Sequence, residues 1–283
     1  MPTVTRALPF LAAVSASIFT VFGCFVIVDR RLPTPAGWAL AWSDGFSGAK
    51  NSAPDPTKWT YDLGGRAWGN HELETYTNRP ENALIEKGRL VIIARREKYT
   101  GTDGITRDYT SARLKTQRLF AQKYGRFEAR IKIPKGQGIW PAFWMLGNDI
   151  PTNGWPRCGE IDIMENVGRE LGTNHGSLHG PGANGTASLT SIFTLPAGHK
   201  LADDFHVYSV EWEPEAVRFY VDSNLYATFS PSQWPAGATW VFDHPFFIVL
   251  NVAVGGDWPG SPDATTKFPQ RMLVDYVRVY TRR

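Results

Sequence analysis

Apolar and polar residues alternate along most of this chain in short runs, each broken by Gly, Pro, Asn or Asp. A period of two is the pattern of strands with one buried face. In Phe127–Ile133 it puts Phe127, Ala129, Ile131 and Ile133 on one face and Glu128, Arg130 and Lys132 on the other. His206–Trp212 and Val217–Asp222 read as a hairpin, joined by Glu213-Pro214-Glu215-Ala216, and Val274–Tyr280 (VDYVRVY) ends the chain as another strand. Nowhere do apolar residues recur at helical spacing over three turns. The pattern predicts an all-β fold, and a domain of roughly 250 residues suits a large sandwich of two sheets. A curved sheet in such a sandwich offers a concave face along which an extended polymer can lie.

One segment departs from the alternation. Ala7–Val28 is an uncharged stretch of 22 residues that ends at Asp29, Arg30 and Arg31. It is longer than the usual apolar core of a signal peptide and close to the ~20 residues that span a bilayer. Three fates stay open: cleavage after a small residue near Ala16, lipidation at Cys24 in Val21-Phe22-Gly23-Cys24, or retention as an anchor. A buried core helix is the plainer alternative. Each of the first three implies export, so the chain is expected to be secreted, periplasmic or anchored to the outer face of a membrane. Leu32–Gly37 (LPTPAG) reads as a linker. The expected organisation is therefore a leader with linker over residues 1–35 and one folded domain over 36–283.

Charge sharpens this division. The whole chain carries 30 basic and 27 acidic residues, a formal +3. Without residues 1–35 the count becomes 27 against 26, so the domain is nearly neutral. That argues against binding nucleic acid through phosphate neutralisation and suits an uncharged ligand. Only Cys158 lies in the domain, so no internal disulfide forms there. It directly precedes the acidic run described next but has no visible base partner, and it reads as a packing residue. All eleven tryptophans lie beyond residue 35 and serve either a core or a face that stacks on flat ligands.

Candidate chemistry concentrates in Gly159-Glu160-Ile161-Asp162-Ile163-Met164-Glu165-Asn166. Strand alternation puts Glu160 and Asp162 on one face and Ile161 and Ile163 in the core. By parity Glu165 falls on the wrong face, and a one-residue bulge at Ile163–Met164 would return it. Like charges lined up on one face do not help stability. A solvated edge strand and a site for a hard cation are the competing readings. For catalysis, two glutamates with an aspartate between them suit retaining glycoside hydrolysis, which needs carboxyl groups about 5–5.5 Å apart. The Cα atoms of Glu160 and Glu165 would be ~13 Å apart, a gap that long side chains on a concave strand can close. Ionised Glu160 would raise the pKa of Glu165 and keep it protonated as an acid. Trp140 and Trp144, four apart in WPAFW, share a strand face and either stack on sugar rings or pack in the core. Asn70 with Glu72, and Ser111 with Arg113, pair by the same parity.

GEIDIMENVG, with WPAFWML before it and GSLHGPG after it, resembles glycoside hydrolase family 16. The spacing Glu-x-Asp-x-x-Glu is similar to its laminarinase branch, the endo-1,3-β-glucanases. WGNHELETYT, YTSARLKT, YGRFEARIKIP, GGDWPG and VDYVRVY extend the resemblance from about Trp42 to Tyr280. It implies a β-jelly roll of two curved antiparallel sheets with a concave substrate cleft. It also implies Glu160 as nucleophile, Glu165 as acid/base and Asp162 assisting. Asn70, Arg113, Trp140, Trp144, His179 and Trp258 would bind substrate, with Trp68 a further cleft aromatic. The implied substrates are laminarin-like β-1,3-glucans and mixed-linkage 1,3-1,4-glucans, cut by a chain acting as a monomer with no catalytic cofactor. A structural calcium away from the chemistry would involve Gly88, through its carbonyl, and Asp275. Here Gly45 replaces a glutamate that often contributes to that site. A transglycosylase, a hydrolase of another β-glycan and a non-catalytic glucan-binding module remain alternatives on the same fold.

Overall fold

The computed structural model describes Met1 and residues 34–183 and 185–283. The predicted leader, including Ala7–Val28 and Cys24, lies outside the described residues. Among these, no helix is long and apolar enough to cross a membrane. Thr34–Arg283 form one compact unit.

Within it, the chain runs through β1 (Trp38–Asp44), β2 (Thr60–Asp62), β3 (Glu74–Tyr76), β4 (Ala83–Ile85), β5 (Leu90–Thr100) and β6 (Thr106–Ser111). There follow β7 (Arg113–Lys115), β8 (Gly125–Lys132), β9 (Ile139–Gly147), a single helical turn α1 (Ile150–Asn153) and β10 (Glu160–Glu165). The remaining strands are β11 (Thr173–Gly182), β12 (Gly185–Thr194), β13 (His206–Glu213), β14 (Ala216–Val221), β15 (Asn224–Phe229), β16 (Phe246–Val254) and β17 (Gln270–Arg282). One sheet has the order β15-β14-β13-β8-β17-β5-β6-β3, with β1 on β17 and β4 on β5; the other runs β12-β11-β10-β9-β16-β7-β2. All their pairings are antiparallel except β3 with β6. The two sheets form a jelly-roll sandwich.

The alternation read from the sequence is the alternation that packs. Phe127, Ala129, Ile131 and Ile133 are at most 3% exposed and share a core with Phe143, Met145, Ile161 and Ile163 from the opposite sheet. Each of the Phe, Ile and Met side chains among them contributes roughly 1.5–3 kcal/mol by leaving water. The other face of β8 is less exposed than its polarity implies. Glu128 is 4% exposed, because Arg126 and the Tyr280 hydroxyl cover it and hydrogen-bond to its carboxylate at 3.0 and 3.1 Å.

Two expectations are corrected. Ser111 and Arg113 do not share a face, because the chain changes sheets at buried Ala112: β6 ends in one sheet and β7 begins in the other. The calcium assignment does not fit Gly88 and Asp275. Asp275 Oδ1 accepts from Arg89 Nε at 3.3 Å and Oδ2 from Arg130 Nη1 at 3.0 Å. Both oxygens already face cations, and a calcium ion needs about six to eight oxygen ligands of its own. Asp44, next to Gly45, is likewise engaged, by the Phe46 amide and the Trp59 indole.

The seam between β9 and β10 tolerates little change. A Cβ at Gly147 would stand 1.9 Å from the Cys158 carbonyl oxygen, which is backbone and cannot swing aside. Gly147→Ala should therefore cost about 2–4 kcal/mol of stability. Denaturant unfolding checks this; a change within about 0.5 kcal/mol would show that the seam relaxes freely.

Candidate active site

Strand β10 carries the acidic run, and its pairings contain the predicted bulge. Against β9, Asp162 faces Trp144 and Met164 faces Phe143, so two steps on β10 match one on β9. Against β11 the register slips across the same residues. Ile161, Ile163 and Met164 all enter the core at 0% exposure. Glu160, Asp162 and Glu165 line one cleft of about 320 Å³ on the opposite face. The bulge thus does what parity required of it.

Tryptophan N–H groups orient both glutamates. Trp155 Nε1 donates to Glu160 Oε2 and Trp140 Nε1 to Glu165 Oε1, each at 2.9 Å. Between them, Asp162 is 2% exposed. His179, the cross-strand partner of Glu160, brings Nε2 to 3.2 Å from Asp162 Oδ2.

This environment disfavours charge. Burial pushes Glu165 up to about 7, reinforced by the charge of Glu160 and more weakly by that of Glu72, while His179 and the Trp140 bond pull it down. Burial and the Asp162 charge push Glu160 up to about 8, opposed by His179, Arg113 and the Trp155 bond. Burial, then Glu165, holds Asp162 well above the usual carboxylate range, against a hydrogen bond with Glu160. All three groups therefore hold a proton more readily than free carboxylates do. Asp162, the most deeply buried, is hydrogen-bonded to Glu160, so a proton can pass between the two. Burial thus outweighs the like-charge effect expected from sequence as the main cause at Glu165.

The predicted cleft residues converge. Asn70, Arg113, Trp140 and Trp144 line the cavity, as does Trp68. The Arg113 guanidinium lies 5.1 Å from the Trp68 ring and 4.7 Å from that of Trp144, with Nε 3.0 Å from Asp62 Oδ2. That sandwich fixes its orientation. Trp258 packs edge-on to Trp140 at 5.5 Å and against His175 at 4.8 Å. Cys158 is fully buried with its thiol pushed up to about 12 by burial, then by Asp149 and Glu160, which makes it a packing residue.

Several contributors went unseen in the sequence. Trp155, 52% exposed, sits on the loop after α1; its place five residues before Glu160 was the available signal. A hydrogen-bond chain also runs under the cleft. Trp144 Nε1 donates to Asn251 Oδ1 at 2.7 Å, Asn251 Nδ2 to the Tyr76 hydroxyl at 3.1 Å, and that hydroxyl to Glu72 Oε2 at 3.0 Å. Asn70 Nδ2 donates to Glu72 Oε1 at 3.2 Å. Glu74, fully buried, is held well above its usual pKa by burial and then by the charge of Glu72. The Asn70 amide and the Tyr76 hydroxyl both donate to Glu72.

Comparison with known proteins agrees with this geometry. The model for glycosyl hydrolases family 16 matches residues 71–278. A β-glucanase of Rhodothermus marinus is 44% identical over 272 residues, covering 92% of this chain and 91% of its own. The laminarinase catalytic domain of Thermotoga maritima superposes with a TM-score of 0.80 at 51% identity, over 87% of this chain and 99% of that one. The endo-β-1,3-glucanase of Pyrococcus furiosus does so with a TM-score of 0.81 at 48% identity, over 87% and 95%.

The Glu72 charge has a direct readout. Glu72→Gln removes an anion that disfavours ionisation of Glu165, so the Glu165 carboxyl should titrate at lower pH than in wild type. Carbon-13 NMR of the glutamate carboxyls measures it; an unmoved midpoint would remove Glu72 from the electrostatics of the cleft.

Proposed function

The chain belongs to glycoside hydrolase family 16 and is a glycoside hydrolase, and from that premise we propose that it cleaves β-1,3-glucans internally with retention of configuration. The observation that carries this is the pair Glu160 and Glu165 in one cleft, each carboxylate gripped by an indole N–H. Mixed-linkage 1,3-1,4-glucans are a second substrate class; one relative, from Rhizobium meliloti, is an endo-1,3-1,4-β-glycanase 34% identical to this chain.

The reaction needs the proton on Glu165 and not on Glu160; His179, Arg113 and the Trp155 bond all pull the Glu160 carboxyl toward ionisation. With Glu160 ionised, its oxygen attacks the anomeric carbon of the bound sugar. The carbon–oxygen bond to the leaving sugar breaks as Glu165 passes its proton to that oxygen. The result is a glycosyl ester on Glu160. Water then gives a proton to Glu165, its oxygen bonds to the anomeric carbon, and Glu160 leaves as carboxylate. Two inversions amount to retention. Asp162 assists by hydrogen-bonding Glu160: a proton on Asp162 stabilises the carboxylate before attack and as it leaves. Trp155 does the same from the solvent side. Nucleophile and proton both come from the chain, so the reaction as written requires no cofactor.

Binding uses the rest of the cleft. Trp140 and Trp144 present ring faces to sugars, while Asn70 and the pinned Arg113 offer donors to hydroxyls. His179 lies on the Glu160 side and Trp258 packs edge-on to Trp140. The nearly neutral domain suits an uncharged polymer. Because one chain supplies these groups, the reading needs only a monomer, with β-glucan and not nucleic acid as its partner. A polymer of this size is met outside the cell, in line with export through the apolar stretch Ala7–Val28, whether that stretch is cleaved, lipidated or retained as a tether.

Glu160→Gln and Glu165→Gln should each lower reducing-sugar release from laminarin by at least about a thousandfold with the fold intact. Full activity in either variant would refute the assignment. Trp155→Phe, which keeps a ring but loses the N–H, should reduce kcat by about tenfold with little effect on KM. A change confined to KM would make Trp155 a binding residue only.

A further inference from the structure

Glu160, Asp162 and His179 are also grouped as the ligands of a metal ion would be. Each offers one oxygen or nitrogen, and these atoms lie within 4.8 Å of one another. Asp162 Oδ2 is buried and has no hydrogen-bond partner, in a residue only 2% exposed. His179 Nε2 stands 3.2 Å from that oxygen, yet outside hydrogen-bonding geometry. In a tetrahedral zinc site with bonds near 2.0 Å, two ligand atoms are separated by roughly 3.3 Å. The Asp162–His179 separation thus matches one edge of such a tetrahedron.

The scaffold suits an ion. Glu160 and Asp162 project from β10, and His179 pairs opposite Glu160 on β11, so all three ligands stand on hydrogen-bonded strands of one sheet. Four carboxylates line the cleft, Glu72, Glu160, Asp162 and Glu165, and Arg113 is the one cation among its lining residues, already committed to Asp62. A divalent ion would relieve that repulsion, and an imidazole with two carboxylates favours zinc over calcium, which prefers oxygen alone. Glu160 borders the open cleft, which leaves a fourth position for water.

We infer that the cleft also binds one zinc ion through Glu160, Asp162 and His179, and that zinc held there excludes glucan. Coordination stands on the geometry alone; only the exclusion of glucan rests on the proposed function. Binding also displaces whatever protons these carboxylates hold.

Calorimetric titration of the chelator-treated full chain with zinc chloride tests the inference, run in buffers of different ionisation enthalpy. One zinc should bind with release of protons. Affinity should fall by at least about tenfold in His179→Asn and in Asp162→Asn, and should persist in Glu165→Gln, which lacks the acid but keeps the ligands. In the wild-type chain, laminarin oligosaccharide should weaken zinc binding, a check that no variant's folding can obscure. No zinc uptake by the wild type, or equal affinity in His179→Asn, would overturn the site. Unchanged zinc affinity beside saturating oligosaccharide would overturn the exclusion. An active hydrolase that takes no zinc refutes this inference alone, and an inactive one that takes zinc refutes the proposed function alone.

Discussion

Three carboxylates face one small cavity from a strand of six residues, and taking them out of water sets the terms for everything around them. Burial is the largest cause of the shift at each of the three, ahead of their mutual repulsion. An unpaired charge at such a site would cost several kcal/mol. The fold limits that cost in two ways: by letting the groups keep protons, and by supplying donors where charge is wanted. Trp155 and Trp140 do the second for Glu160 and Glu165. The fully buried Ile161, Ile163 and Met164 hold the strand in place from its other face.

The same logic explains the layer beneath. Glu72 and Glu74 form a second close pair of carboxylates, again with the more buried member held well above its usual pKa by burial and then by its neighbour's charge. The chain from Trp144 through Asn251 and Tyr76 ends on Glu72 and fixes the Trp144 ring that Arg113 lies against. The substrate face is therefore rigid, because its aromatic groups are each tied at the polar edge. A ring whose N–H is already bonded gives up less freedom when a sugar stacks on it.

What was legible in the sequence follows from how local the cause is. Alternation fixed β8, β13, β14 and β17 because a period of two is a property of neighbouring residues. The bulge was legible too, since Glu160, Asp162 and Glu165 can share a face on one strand only if the strand gains a residue. The change of sheet at Ala112 was not, because Ser111 and Arg113 keep strand parity while belonging to different sheets. Asn251 and Tyr76 are 175 positions apart, and Glu74 meets the Val254 amide across 180. No pattern along the chain announces such contacts. Glu128 looked like a solvent-facing residue because its cover comes from Tyr280, brought beside it by β17.

The opposite sheet answers a charge problem in another way. Asp275 sits where β17 slips register against β8, and Arg89 and Arg130 each take one of its oxygens. Both guanidinium groups also lie over the Phe205 ring, at 4.9 and 4.6 Å. A carboxylate there is neutralised by fixed cations, packed and permanent. In the cleft the same kind of group is left with movable protons and a single committed arginine. Catalysis accounts for the difference: a carboxylate locked in a salt bridge holds neither a proton to give nor an oxygen free to attack. Asp275 is paired with arginines where it serves structure, and Glu160 and Glu165 are held by indole N–H groups where they serve chemistry. The instability this leaves in the cleft is carried by the core behind β10.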